Sequence, residues 1–253
     1  MAAAEPESNP FERGGAAYAR HRPTWPAALV DALADASPAK THALDVGCGS
    51  GQLSTLLATR FERVTATDPS ADQLAGAVPH ERVRYRREPA ERVGLDAGSV
   101  DLVVAGQAAH WFDLPAFLAE AARVARPGAA LALLSYGVPE LEGDAGRAFA
   151  TLYATHPLHG FWPAGRAHVE DGYRAFEIPY PERPLPPLAI ERRWTADDAL
   201  GYVGTWSAVG RAREAGRADA VDDFLARLGA LWGAGERRVR WPVAGRLATL
   251  PGR

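Results

Sequence analysis

The feature that most constrains this chain is the run Leu44-Asp45-Val46-Gly47-Cys48-Gly49-Ser50-Gly51-Gln52-Leu53. The apolar stretch 41–46 reads as a buried strand, and it ends in three glycines at alternate positions before a helix-forming segment. Glycine has no Cβ, so such a loop turns sharply and lets the backbone approach a ligand. In an open α/β sheet this is the crevice outside the carboxyl end of a strand. The spacing is G-x-G-x-G, not the G-x-G-x-x-G of a dinucleotide site. A dinucleotide loop sets a pyrophosphate on a helix N-terminus, where an acid beside the loop would repel it. Asp45 suits a ligand carrying positive charge.

Downstream, strands and helices alternate. RVTATD (63–68) is a β-branched strand ending in Asp68, about 20 residues beyond the loop, where a carboxylate can accept from ribose hydroxyls. Further strands are expected at 82–88, 99–106 and 130–137, and helices at 27–37, 52–60, 69–78 and 114–125. This rhythm predicts βαβ units, a mainly parallel sheet and helices on both faces. After Gly137 it breaks. Residues 138–187 are rich in proline, glycine and aromatics, which predicts a cap or irregular insertion. A strand at 189–194, helices at 196–203 and 220–232, and a returning antiparallel strand at 238–243 complete the expectation. We therefore expect a single domain over 1–253: helix and binding core at 18–137, cap and helices at 138–234, final strand region at 235–253.

Composition narrows the function. A hydrophobic fraction of 47% supports a real core, and one cysteine leaves neither a disulfide framework nor a cysteine metal cluster. The net charge of -3 argues against a phosphate-seeking surface, so no nucleic-acid partner is expected. The arginines at 237, 238, 240 and 246 read as an exposed strand face. No run is long enough to span a bilayer, and the polar start MAAAEPESNPFERGG is unlike a signal peptide; no membrane partner and a cytoplasmic location are expected. The sequence does not fix an oligomeric state, and no metal site is expected.

LDVGCGSGQLS (44–54) resembles motif I of the class I S-adenosylmethionine-dependent methyltransferases (methyltransferase type 11 domain). TATDPSADQL (65–74) is similar to the segment whose acid binds the adenosine ribose. AERVGLDAGSVDLVVAGQAAHWFD (90–113) resembles the adenine-side loop and fourth strand, and EAARVARPGAALALLSYG (120–137) the following helix, turn and fifth strand. YARHRPTWP (18–26) and GTWSAV (204–209) resemble the trans-aconitate methyltransferase-like subgroup.

The resemblance implies a Rossmann-like sheet, S-adenosyl-L-methionine as cofactor, and methyl transfer to a small organic molecule, with a carboxylic acid as one candidate. It implies that Gly47, Cys48, Gly49 and Gly51 line the methionine portion, with Asp45 at its amino group. Asp68 and Pro69 would face the ribose, Ala90 and Glu91 the adenine, and Gln107 the sulfonium end. The family usually has an acid just before that alanine; this chain has Pro89, which shifts adenine recognition towards backbone and apolar contacts.

Each residue also has a plainer reading. Cys48 suits a small buried filler better than a nucleophile, with no base beside it. His110 is a candidate general base or a hydrogen-bonded lid histidine, and Tyr18 a candidate proton acceptor. Arg20 and Arg22 are either part of a solvated arm or a grip on a substrate carboxylate. Trp111 and Trp206 either wall the substrate pocket or simply pack. Two rival functions stand beside the enzyme: a catalytically silent S-adenosylmethionine-binding regulator or scaffold, and an NAD-dependent oxidoreductase on a similar sheet.

Overall fold

A computed structural model describes residues 22–251. The apolar strand before the glycine loop is β1 (His42–Val46), buried along its whole length. It lies parallel between β2 (Arg63–Thr67) and β4 (Val100–Gly106). β3 (Val83–Arg86) extends the sheet beyond β2, and β5 (Ala125–Tyr136) pairs with β4. β9 (Arg237–Thr249) runs antiparallel to β5. The order β3-β2-β1-β4-β5-β9 reverses direction between β1 and β4, which opens a crevice at their carboxyl ends. The sheet is thus the Rossmann-like, mainly parallel one expected, with a C-terminal antiparallel strand.

Both faces are covered, because alternate residues of each central strand meet different helices. Leu102 and Val104 of β4 join the cluster containing Leu29 and Leu33 of α1 (Ala27–Ala36) and Leu57 of α2 (Gln52–Leu57). Val103 and Ala105 turn the other way, to Phe117, Leu118 and Ala121 of α4 (Leu114–Val124). Asp113 caps α4 by accepting from the Ala116 amide. A short α3 (Ala71–Ala75) links β2 to β3. β5 follows α4 without an intervening turn, five residues earlier than the apolar run suggests.

Of the two expectations for 138–187, a cap or an irregular insertion, the segment takes the form of a helical cap. α5 (Gly143–Thr155) fills thirteen of those residues, followed by a 3-10 turn at Pro157–Phe161 and α6 (Arg166–Glu170). No proline falls between Pro139 and Pro157, so the backbone amides there are free to close helical hydrogen bonds. Phe149 and Tyr153 then lie one turn apart and are buried. They pack with α7 (Ala196–Gly204), α8 (Ser207–Glu214) and α9 (Ala218–Trp232) into a helical cap.

β9 is also longer than expected. Its first half pairs with β6 (Glu140–Leu141) and β8 (Leu188–Trp194), its second with β5 and β7 (Glu182–Arg183). Its outward arginines pair locally: Arg238 with Glu191, Arg240 with Glu140, Arg246 with Glu182. Among the described residues no helix is long and apolar enough to cross a membrane.

Candidate active site

The glycine loop leaves the end of β1 in a conformation that side chains resist. Gly47 and Gly51 have φ of 67° and 79°. A Cβ on Gly47 would lie 2.5 Å from the Ala108 Cβ, and one on Gly51 2.2 Å from the Tyr85 hydroxyl oxygen. The loop is tied to the end of β2: the Cys48 amide donates to the Thr67 carbonyl at 3.0 Å. The Asp68 carboxylate accepts from the Gly49 amide at 2.9 Å and the Ser70 amide at 2.8 Å. A carboxylate has about four lone-pair positions, so Asp68 keeps capacity for further donors.

Asp45 is 1% exposed, and the Ser54 hydroxyl donates to it at 2.6 Å. Burial pushes its carboxyl from 3.8 up to about 7; the Ser54 bond opposes the rise and the nearby Asp68 charge adds to it. Burial likewise raises Asp68, against its two amide donors. The Cys48 thiol is pushed well above its ordinary range by burial and by Asp45 and Asp68, which makes it unreactive.

These groups line a cavity of about 310 Å³. A second set of lining residues is contiguous around Tyr136. Its ring meets Trp25 edge to face at 5.2 Å, and its carbonyl accepts from the Gln107 carboxamide at 2.7 Å. Arg22 also lines the cavity; it donates to the Thr205 carbonyl at 3.3 Å and stands over the Tyr202 ring at 5.6 Å.

Of the residues singled out by sequence, Arg22, Asp45, Gly47, Cys48, Gly49, Asp68, Pro69, Gln107 and Trp111 line this cavity. Gly51 stands behind them as the N-cap of α2. Ala90 is buried in the α4-side core, and Glu91 accepts from the Asp113 amide; neither lines the cavity. His110 is not on the wall either. Its Nδ1 lies 3.3 Å from the Tyr173 hydroxyl, and burial, Arg166 and His168 hold it down at about 4. Trp206 is 3% exposed inside the cap, between Tyr153, Trp162 and Phe224. Tyr18 and Arg20 lie outside the described residues. Sequence reasoning missed Trp25, Phe112 and Tyr136 as lining residues. For Tyr136 the signal was available: it ends the fifth strand at the crevice side of the sheet.

The set fits S-adenosylmethionine. A buried, under-paired Asp45 calls for a cationic group, and Asp68 retains acceptor capacity for a diol. The glycines remove the side chains that would otherwise fill the space.

Comparison with known proteins agrees. The methyltransferase domain family matches residues 44–133. A relative from Dictyostelium discoideum, named as a methyltransferase, is 30% identical over 214 residues, covering 83% of this chain and 81% of that protein. The solved structure of a type II methyltransferase from Anaeromyxobacter dehalogenans is 47% identical, with a TM-score of 0.83, and the match covers 91% of this chain and 99% of that one. A malonyl-[acyl-carrier protein] O-methyltransferase of Dechloromonas aromatica is 39% identical over 112 residues, 43% of this chain and 41% of that protein. The chain belongs to the class I S-adenosylmethionine-dependent methyltransferases, and S-adenosylmethionine is its cofactor.

Proposed function

We propose that this methyltransferase acts on a small organic carboxylic acid, within the trans-aconitate methyltransferase-like subgroup. The observation that carries this reading is the Arg22 guanidinium on the cavity wall. A guanidinium there can hold one carboxylate by paired charge-assisted hydrogen bonds. Arg22 comes from the YARHRPTWP segment and Thr205 from GTWSAV, so the two segments behind the subgroup resemblance are joined by a hydrogen bond from a residue that lines the cavity. The malonyl-carrier relative, whose name gives an O-methylated malonyl group, is consistent with an acidic acceptor.

The proton inventory supports the same choice. Among the described lining residues, the titratable side chains besides Arg22 are Asp45, Asp68, the unreactive Cys48 and the Tyr136 phenol. Asp45 and Asp68 belong to the cofactor, where we assign Asp45 to the amino group, Asp68 to the ribose, and Gly47, Gly49 and Pro69 to the adjoining wall. A carboxylate acceptor is already ionised and needs no base, unlike an alcohol or amine. Bound S-adenosylmethionine supplies a methyl carbon activated by its sulfonium. The chain then has to align the acceptor oxygen with that carbon and exclude water, for which Trp25, Trp111 and Tyr136 provide apolar walls. We read cap and sheet as one domain, since their buried residues form a shared cluster.

Labelled methyl transfer to panels of small carboxylic acids, phenols and amines tests the reading. Transfer to acids is expected, with Arg22→Met raising KM by about 10- to 100-fold, as loss of a charged hydrogen-bond pair implies, and Arg22→Lys restoring part of it. Transfer to phenols or amines alone would overturn the acid assignment. Tight adenosylhomocysteine binding with no transfer to any acceptor would favour the silent regulator.

A further inference from the structure

We propose that Tyr173 and His110 form a positioning pair that fixes the β4–α4 loop, and with it Trp111, against the cavity. The proposal rests on the reading of that cavity as the active site, and it gives His110 a task other than proton transfer.

The loop needs a fastener. It begins at Gln107, a non-glycine residue with φ of 60°, passes through the 3-10 turn Ala109–Trp111, and places Ala108, Trp111 and Phe112 on the cavity wall. A backbone in the left-handed region persists for such residues only where the surroundings over-determine it. Within the turn, the Trp111 amide donates to the Ala108 carbonyl at 3.0 Å. Behind the turn stands Tyr173.

Tyr173 is itself held in an unusual state. It is fully buried and has φ of 61°, the second non-glycine residue in that region among the described residues. Arg246 of β9 pins its turn by donating to the carbonyls of Tyr173 at 2.8 Å, Phe176 at 3.0 Å and Arg174 at 3.1 Å. Glu182 of β7 pairs with the same guanidinium. The Tyr173 hydroxyl is thus presented from a rigid base in the sheet.

The hydroxyl meets His110 Nδ1 at 3.3 Å, with the two rings inclined by 22°. Burial keeps this imidazole neutral at ordinary pH and keeps the phenol protonated, so a single hydrogen bond joins them, its direction set by the imidazole tautomer. On its far side the imidazole lies 4.9 Å from the Trp111 ring, centroid to centroid. Beside it, a Cβ on Gly165 would come within 3.2 Å of His110 Cδ2, so the cap also closes on this ring. The contacts run unbroken from Arg246 through Tyr173 and His110 to Trp111.

The test uses the full chain and reads Trp111 directly. Acrylamide quenching of tryptophan fluorescence is measured in each background with and without Trp111→Phe, and the difference isolates that indole. Tyr173→Phe keeps the ring and removes the hydroxyl. Trp111 is already 38% exposed, so it should become easier to quench by about half again or more, in keeping with the loss of one buried hydrogen bond. Adenosylhomocysteine affinity, measured by calorimetry, should change by less than about threefold. His110→Phe should give the same increase, and the double variant no more than either single one, because the two act as one coupled unit. Unchanged quenching in Tyr173→Phe, additive effects in the double variant, or a parallel collapse of adenosylhomocysteine affinity would each overturn the pair. No carboxylic acid enters these measurements, so failure of the acceptor assignment leaves their outcome unaffected.

Discussion

His42 opens β1 and Asp45 stands one residue before its end, and the two are satisfied to opposite degrees. Both His42 ring nitrogens have partners: the Ser99 carbonyl at 3.2 Å and the Thr65 hydroxyl at 2.9 Å. Beside it, the fully buried Asp101 accepts from the Thr41 and His42 amides at 3.0 and 2.9 Å and from Arg126 at 2.7 Å. Asp45 has the Ser54 hydroxyl and the flank of another carboxylate. At the amino end His42 and Asp101 find their partners among their neighbours and hold the sheet. The polar groups at the carboxyl end are left short of positive charge, and that deficit is what a cationic ligand removes.

The largest effect expected from breaking this division is at Asp101. Replacing it by alanine strands two amides and Arg126, and urea unfolding should show a loss of about 3 kcal/mol or more. Adenosylhomocysteine affinity of the folded fraction should stay within about threefold, as for a site that shares no partner with the change. A joint loss would show that the two ends are not separable.

Asp45→Asn should do the reverse. Cofactor affinity should fall by about 10- to 100-fold in calorimetry, the worth of one charge-assisted contact. The ligand-free protein should melt higher at pH 7.5, because a costly buried charge is gone.

The pH dependence sharpens the contrast, since the two ends have opposite signs. Asp45 keeps its proton in the fold up to about pH 7 but loses it near 3.8 when unfolded, so stability declines as pH rises through that window. His42 is pulled from 6.5 down to about 4, chiefly by burial and then by Arg63. The unfolded chain therefore takes up that proton first, and stability declines as pH falls from 6.5 towards 4. Melting curves at pH 5 and pH 7.5 should show Asp45→Asn gaining on the natural protein at both, and clearly more at the higher pH, because the penalty begins near 3.8 and is complete only above about 7. Equal gains at both would refute the assignment. The smallest effect belongs to Thr65→Val, which removes one partner of His42 and should cost about 1 kcal/mol without altering cofactor affinity.

What the sequence revealed follows the same geography. Asp45, the loop glycines and Asp68 are close in the chain and their placement depends on local backbone geometry, so spacing alone brought them to one crevice. The strands β1 to β5 were legible for a similar reason, as short apolar runs between turn signals. Trp25 was not, because its place on the wall depends on α1 docking beside Gly106, across some 80 residues of chain. His110 was legible as a residue near the site but not as one facing away from it. Only the packing of Tyr173, from the turn that follows α6, orients its ring. α5 was hidden by averaging: its proline-free stretch lies in a window whose prolines sit outside the helix.

β9 has a consequence for how the molecule reaches this state. Its pairings with β5 join residues more than a hundred positions apart, Ala130 with Thr249 for example. Contacts of such separation form slowly, because a long loop must close before they yield any stabilisation. Until they do, β5 presents an open edge of Leu131, Ala132, Leu133 and Leu134, all fully buried once the strand arrives. An unpaired apolar edge is a template for another chain. The strand that completes the sheet therefore also sets the interval during which folding competes with aggregation.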